Sequence, residues 1–272
     1  MVKAGGVDSR GVWWWSTATD GGPATVAASF VDGTVEAEAW GSGAGALLDR
    51  LPAVLGVDDR MEITVAPGPV KGLLRKHAGT RLGASGAVFE ATAFGIMGQL
   101  VTRTEATRSR RKLLAAYGEP APGPNESLHR FPDPERIAGL SYEDLHGVGI
   151  ERKRASTLIE AARRAKRLDE ILGMDRDAAW SRLLAVRGIG PWTAAFVMGA
   201  AWGDKDAVPV GDYHLPNTVS WALAGEPRAD DTRMLELLEP YRPERRRLLL
   251  AIKAEHIHAP KYGPKTALRR HL

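Results

Sequence analysis

The 272-residue chain contains no cysteine. That excludes disulfide staples, cysteine-ligated zinc and a cysteine-held iron–sulfur cluster, and it fits a reducing cytoplasm. Long apolar runs are also missing. No stretch is long enough to cross a bilayer, and residues 1–11 lack the apolar heart of a secretory leader, so the expectation is a soluble cytoplasmic protein with no membrane partner. Excess charge is small, at +4, with 44% hydrophobic and 26% charged residues. This is ordinary globular composition. The length suits one large domain or two of common size, with a core that needs neither disulfide nor structural metal.

The little charge there is lies unevenly. Residues 1–60 hold four basic and eight acidic side chains, whereas residues 241–272 hold nine basic and two acidic ones. A basic end on a near-neutral body points to a polyanion partner, or else to a solvated tail.

Short runs of β-formers at 12–15, 24–31 and 34–40 are separated by Asp20-Gly21-Gly22-Pro23 and by Asp32-Gly33, a strong hairpin signal. A glycine-rich turn at 41 leads into a short helix reaching 55, and another short helix is expected at 70–77. From about residue 87 the pattern is helical. One proline-free stretch runs from 89 to 107 and a further helix from 108 to 117. A proline-rich linker at 119–125 follows, then helices at 134–139, 142–146, 151–168, 177–186, 192–201, 214–224, 230–239 and 243–257. Residues 261–272 read as a loose basic tail.

The most informative segment is Leu183-Leu184-Ala185-Val186-Arg187-Gly188-Ile189-Gly190-Pro191-Trp192-Thr193-Ala194-Ala195. Two glycines one residue apart permit a tight turn with positive φ, Ile189 between them can plug into a core, and Pro191 opens the next helix with φ already set. The N–H groups at that helix start are unpaired and carry the positive end of the dipole, which grips a phosphate without reading sequence. The alternative is a plain helical corner. A second turn, His146-Gly147-Val148-Gly149-Ile150, lacks the proline and threonine and reads as a packing turn.

Downstream lies Val208-Pro209-Val210-Gly211-Asp212-Tyr213-His214. Asp212 stands just before a helix, where an aspartate caps free N–H groups. A carboxylate so held can also stabilise the positive charge that builds on a sugar as an N-glycosidic bond breaks, and it can orient water.

Residues 183–214 resemble the hairpin and the following Gly/Pro-to-Asp segment of the helix-hairpin-helix (HhH-GPD) DNA glycosylase superfamily, and most resemble its alkylbase, 3-methyladenine DNA glycosylase II branch. Phe89-Glu90 and Ile96-Met97-Gly98-Gln99-Leu100-Val101 resemble a second block of that family, and the likeness spans roughly residues 85–255. It implies a mainly α fold: two helical subdomains with a cleft between them at 81–272, ending in a basic tail from about 259, preceded by a small N-terminal α/β domain at 1–80. It implies a monofunctional glycosylase of base excision repair that flips damaged, N-alkylated purines out of duplex DNA and hydrolyses them away. Asp212 takes the catalytic place, Trp192 and Tyr213 face the base, and Leu100 is the wedge pushed into the duplex. Arg187, Gly188, Ile189, Gly190, Pro191 and Thr193 form the phosphate-gripping hairpin. No transition-metal cofactor is implied, although the carbonyls between Val186 and Gly190 could hold Na+ or K+. The partner is double-stranded DNA with a damaged base, and the protein is expected to be a monomer, nucleoid-associated if bacterial.

Some relatives carry a Schiff-base lysine two residues after the second hairpin glycine. Here Trp192 stands there, and an indole is no amine nucleophile, so lyase activity is not expected. Trp13, Trp14, Trp15, Trp202 and Trp221 could add aromatic surface but read first as core. Two departures bear on the lesion. Lys253 falls where the branch has a pocket tryptophan, and Glu244-Arg245-Arg246-Arg247 replaces more aromatic sequence. Gly211 replaces an acidic neighbour. His256 and His258 lack a third ligand. A uracil- or hypoxanthine-type glycosylase, and a non-catalytic DNA-damage-binding protein on the same fold, remain as alternatives.

Overall fold

A computed structural model describes residues 5–61 and 70–260. The basic tail at 261–272 lies outside the described residues. Four strands form an antiparallel meander in chain order: β1 (Gly5–Val7), β2 (Trp13–Thr19), β3 (Gly22–Val31) and β4 (Thr34–Trp40). Asp32 and Gly33 take φ of 48° and 78° in the two-residue turn that closes Val31 on Thr34. Such a left-handed turn matches the twist of the strands it joins. Helix α1 (Ala44–Leu55) lays Leu47 and Leu51 on Ala24 and Val26 to make a small core, against which Trp13 and Trp15 pack. Trp14 stacks on Trp40 with centroids 5.6 Å apart, and its indole N–H donates to Asp8. All three tryptophans therefore belong to the sheet.

The rest is helical: α2 (Val70–Lys76), α3 (Val88–Gly98), α4 (Arg103–Tyr117), a two-stranded ribbon of β5 (Glu119–Pro120) and β6 (His129–Arg130), then α5 (Pro134–Ala138), α6 (Tyr142–Gly147), α7 (Arg152–Arg163), α8 (Ala165–Asp169), α9 (Arg176–Leu184), α10 (Pro191–Val197), α11 (Leu215–Ala224), α12 (Asp231–Leu238) and α13 (Arg245–Ala254). Two cores organise them. The larger surrounds α3, which is apolar nearly all round and buried accordingly, and joins it to α7, α8 and α10 through Ile96, Met97, Leu158, Leu168 and Ala194. The second gathers Val70 and Leu74 of α2 with Val208, Val219, Met234, Leu248 and Ile252. Thus α2 packs with the C-terminal lobe, while the sheet and α1 keep their own core.

Three expected helices break. The stretch 89–107 is interrupted after Gly98: Gln99 is extended, Leu100 takes φ of 54°, and Thr102 starts α4 with a capping box, its hydroxyl accepting from the Glu105 amide while Glu105 accepts from the Thr102 amide. The stretch 151–168 divides at Arg164. The stretch 192–201 relaxes after Val197 into a π-helical turn over Met198–Trp202, ended by Gly203 at φ 90°. The linker at 119–125 begins with the unanticipated ribbon strand β5.

Candidate active site

The hairpin joins α9 to α10. Gly188 has φ of 92°, and a Cβ built there would fall on the Thr157 hydroxyl and within 2.8 Å of its methyl carbon. Glycine is required twice over, by conformation and by the close approach of α7. Ile189 is buried, its amide donating to the Val186 carbonyl at 3.0 Å, and Pro191 opens α10. Arg187, Gly188 and Pro191 are exposed, and Gly190 is half-buried. Thr193 is turned inward and buried, so its hydroxyl braces the structure from inside rather than lining the surface.

What Thr193 braces is the break after α3. Gln99 Nε2 donates to the Thr193 hydroxyl at 2.8 Å and to the Gly188 carbonyl at 2.9 Å. Arg154, buried in α7, donates to the Met97 carbonyl at 3.1 Å. The segment bearing Leu100 is thereby fastened to the hairpin, and Leu100 itself stands 87% exposed. An exposed leucine at positive φ is disfavoured on both counts, which is how functional positions announce themselves. The Val186 and Gly188 carbonyls each already accept one hydrogen bond. A monovalent cation at the hairpin would use their second lone pairs.

Asp212 follows Gly211, which holds φ of 87° and whose amide donates to Asp231 at 3.0 Å. One Asp212 oxygen accepts from the amides of His214 and Leu215 at 2.8 and 2.9 Å, so the carboxylate does cap the start of α11. The other oxygen accepts from the Trp192 indole N–H at 2.9 Å. The structure thus brings the hairpin helix and the carboxylate together through one bond. That bond bridges the two helical lobes, because α10 packs in the larger core and the 208–215 segment in the second.

Around it lies an aromatic surface. Phe196, one turn after Trp192, stacks nearly parallel on it with an interplanar angle of 14°. Gly98 and Gly95 let α3 approach this face, since a Cβ at either would crowd Trp192 or Phe196. Tyr213 stands 87% exposed, edge-on to His214. Trp202 donates to the Ile171 carbonyl beside the larger core, and Trp221 is half-exposed on α11. Gln99 and Phe196 were not foreseen. Phe196 could have been, from its four-residue spacing to Trp192.

The basic run at the start of α13 is mostly buried and ionic. Arg245 grips both Asp206 oxygens at 2.8 and 2.7 Å, and Arg247 grips Asp59 and Glu244. Burial alone would raise the Asp59 carboxyl, but the Leu82 amide, Arg247 and Lys205 outweigh it and hold it at about 2. Lys253 is exposed in the last turn of α13, and His256 and His258 are exposed beyond it. Among the described residues no three His, Cys, Asp or Glu side chains gather as metal ligands, and no helix is long and apolar enough to cross a membrane. The second turn, at 146–150, is packed: Ile150 is buried, and Ser109 of α4 donates to the Gly149 carbonyl at 3.0 Å.

A hairpin between two helices, a leucine presented beside it and a carboxylate reached from the second lobe make a helix-hairpin-helix arrangement at the lobe junction. Residues 94–243 match the HhH-GPD superfamily of base excision DNA repair proteins, and the chain belongs to that superfamily. It is 26% identical over 172 residues to the DNA-3-methyladenine glycosylase of Bacillus subtilis (strain 168), covering 62% of this chain and 57% of that protein. It is 31% identical over 168 residues to DNA-3-methyladenine glycosylase 2 of Escherichia coli (strain K12), covering 60% and 57%. The chain therefore spans under two thirds of the length of these curated relatives. Among solved structures, the 3-methyladenine DNA glycosylase from Archaeoglobus fulgidus superposes with a TM-score of 0.78 over 91% of this chain and 87% of that one, at 24% identity. The fold, mainly helical with a small N-terminal antiparallel sheet, is the fold of that neighbour.

Proposed function

We propose that the chain is a monofunctional DNA glycosylase of base excision repair, acting as a monomer in the cytoplasm on N-alkylated purines in duplex DNA. The observation that carries the reading is the Asp212 carboxylate, held between the first amides of α11 and the Trp192 indole beside the hairpin. Relatives named as 3-methyladenine glycosylases agree with it.

The derivation is electrostatic. As the bond from the anomeric carbon to the base nitrogen lengthens, the electron pair leaves with the base and positive charge grows on the sugar. A fixed carboxylate beside that carbon stabilises the charge without reorganising. Its hydrogen bonds hold it in place through the reaction and leave a lone pair to orient water. Electron-poor alkylated purines stack well on the Trp192 and Phe196 rings. Arg187 and the free amides at the start of α10 take a phosphate, and Leu100 fills the space the base vacates. A Na+ or K+ ion on the hairpin carbonyls would add positive charge beside that phosphate. Because the lyase position is Trp192, strand cleavage is not part of the reaction.

The test is base release from methylated duplex DNA by wild type and by Asp212→Asn, with and without alkali. Release by wild type alone, with breaks appearing only after alkali, is the expected result. Excision surviving in Asp212→Asn would leave Asp212 as a helix cap and nothing more.

A further inference from the structure

We propose that a groove behind the hairpin, between α8 and α9, takes a second DNA phosphate together with its deoxyribose. The inference rests on the duplex-binding part of the reading above and adds a contact to it.

The groove has a volume of about 140 Å3. Arg164, Arg167 and Leu168 line one side, and Arg182, Ala185 and Val186 line the other. Both triplets have the spacing i, i+3, i+4, which brings their members to one side of a helix. Arg164 caps the start of α8, and Ala185 caps the end of α9. Leu168 and Val186 are buried and form an apolar floor, while Arg164 and Arg167 are exposed at the rim and Arg182 is half-buried. Arg182 Nη1 donates to the Arg167 carbonyl at 3.0 Å and so ties α9 to α8.

Charge around the groove is unbalanced. Arg164 pairs with Glu160 and Arg182 with Glu170. The Arg167 guanidinium has no hydrogen bond or ion pair among the described residues. Arg163 and Lys166, on either side of Arg164, are exposed and add to the excess. Residues 160–170 together with Arg182 thus hold five cations against three carboxylates. A recess rimmed by charge of one sign, over a low-dielectric floor, concentrates its field on an incoming anion.

Position identifies the anion. Val186 lines the groove and also opens the hairpin, its carbonyl accepting from the Ile189 amide at 3.0 Å. Arg187, the next residue, is exposed. The groove is therefore continuous with the turn that takes the first phosphate in the reading above. One more unit of the same strand offers an apolar carbon edge from its sugar and a charged phosphate. The sugar edge suits the floor of Leu168, Ala185 and Val186, and the phosphate suits planar guanidinium donors at the rim. An acidic peptide carries similar charge, but continuity with the hairpin favours the strand.

The test is anisotropy titration, over a range of salt, of a duplex carrying one tetrahydrofuran abasic-site analogue. The proteins are wild type, Arg167→Lys, the double variant Arg164→Gln/Arg167→Gln, and Arg187→Gln for the hairpin. The double variant should bind about eightfold more weakly at roughly 0.1 M salt, and its slope of log affinity against log salt should shrink by about 0.9, the share of one phosphate. Arg167→Lys should keep most of the slope, since an ammonium still neutralises a phosphate. Neutral methylphosphonates placed singly along the lesion strand should weaken wild type at two separate positions, one silenced in the double variant and the other in Arg187→Gln. Melting midpoints should match wild type, because the altered side chains are exposed. Unchanged affinity and slope in the double variant would overturn the inference and leave the groove to an acidic protein segment. The same methylphosphonate position silenced in both variants would also overturn it. The readout is binding alone and stands whether or not base release is seen; a wild type without duplex affinity would overturn this inference and the glycosylase reading together.

Discussion

Alanine at position 188 tests the hairpin's construction. The residue sits at φ of 92°, which for an L side chain costs about 1–2 kcal/mol. The new Cβ would also meet Thr157, falling on its hydroxyl and 3.0 Å from its Cβ. Overpacking of this sort adds about 1–3 kcal/mol. Gly188→Ala should therefore lose about 2–5 kcal/mol, the sum of those two ranges. The contributions separate in a double-mutant cycle. Thr157→Ala removes the colliding atoms and its own hydrogen bond to the Lys153 carbonyl, a modest loss near 1 kcal/mol. In the double variant the backbone strain and the milder 3.0 Å approach to the Cβ of position 157 should remain, leaving a coupling energy of about 1–3 kcal/mol. Urea unfolding of the four proteins, with constant slope, measures it. Strict additivity would refute the packing of α7 on the hairpin.

Two further outcomes follow from the same kind of reasoning. Leu100→Gly relieves a positive φ on a side chain that touches little, so stability should rise by up to about 1 kcal/mol while base release from duplex DNA falls at least about tenfold; unchanged release would remove Leu100 as the wedge. Glu90 is pushed up to about 7 by burial, only partly countered by the Thr17 hydroxyl and Arg50, from an ordinary value of 4.5. Its unfolded form ionises first, so wild-type stability should fall as pH rises from about 4.5 to about 7 and level off above. Glu90→Gln should flatten that fall in thermal melts and gain on wild type at alkaline pH, with a residual slope from Asp169, raised to about 6 by burial and Asp20. Identical slopes would refute the assignment.

Much of this was legible because it is local. The turn glycines, the buried Ile189, Pro191 and the capping Asp212 lie within one short stretch whose spacing carries its own geometry. The break after Gly98 was missed by a reading of hydrophobic period alone, although Thr102 and Glu105 form a capping box that marks a new helix start. Other features depend on distant partners. The charges of Arg245 and Arg247 suggested a surface, but Asp206 and Asp59, 39 and 188 positions away, draw them inside. Gln99 lies within the family-like block 96–101, but its bonds to Gly188 and Thr193 exist only because the hairpin comes to rest beside it.

The Trp192–Asp212 bond joins parts built on separate cores. A mutation that loosens the C-terminal core would displace the carboxylate and leave the hairpin intact. On the proposed function, such a variant would still occupy DNA while completing no reaction, and would shield lesions from other enzymes.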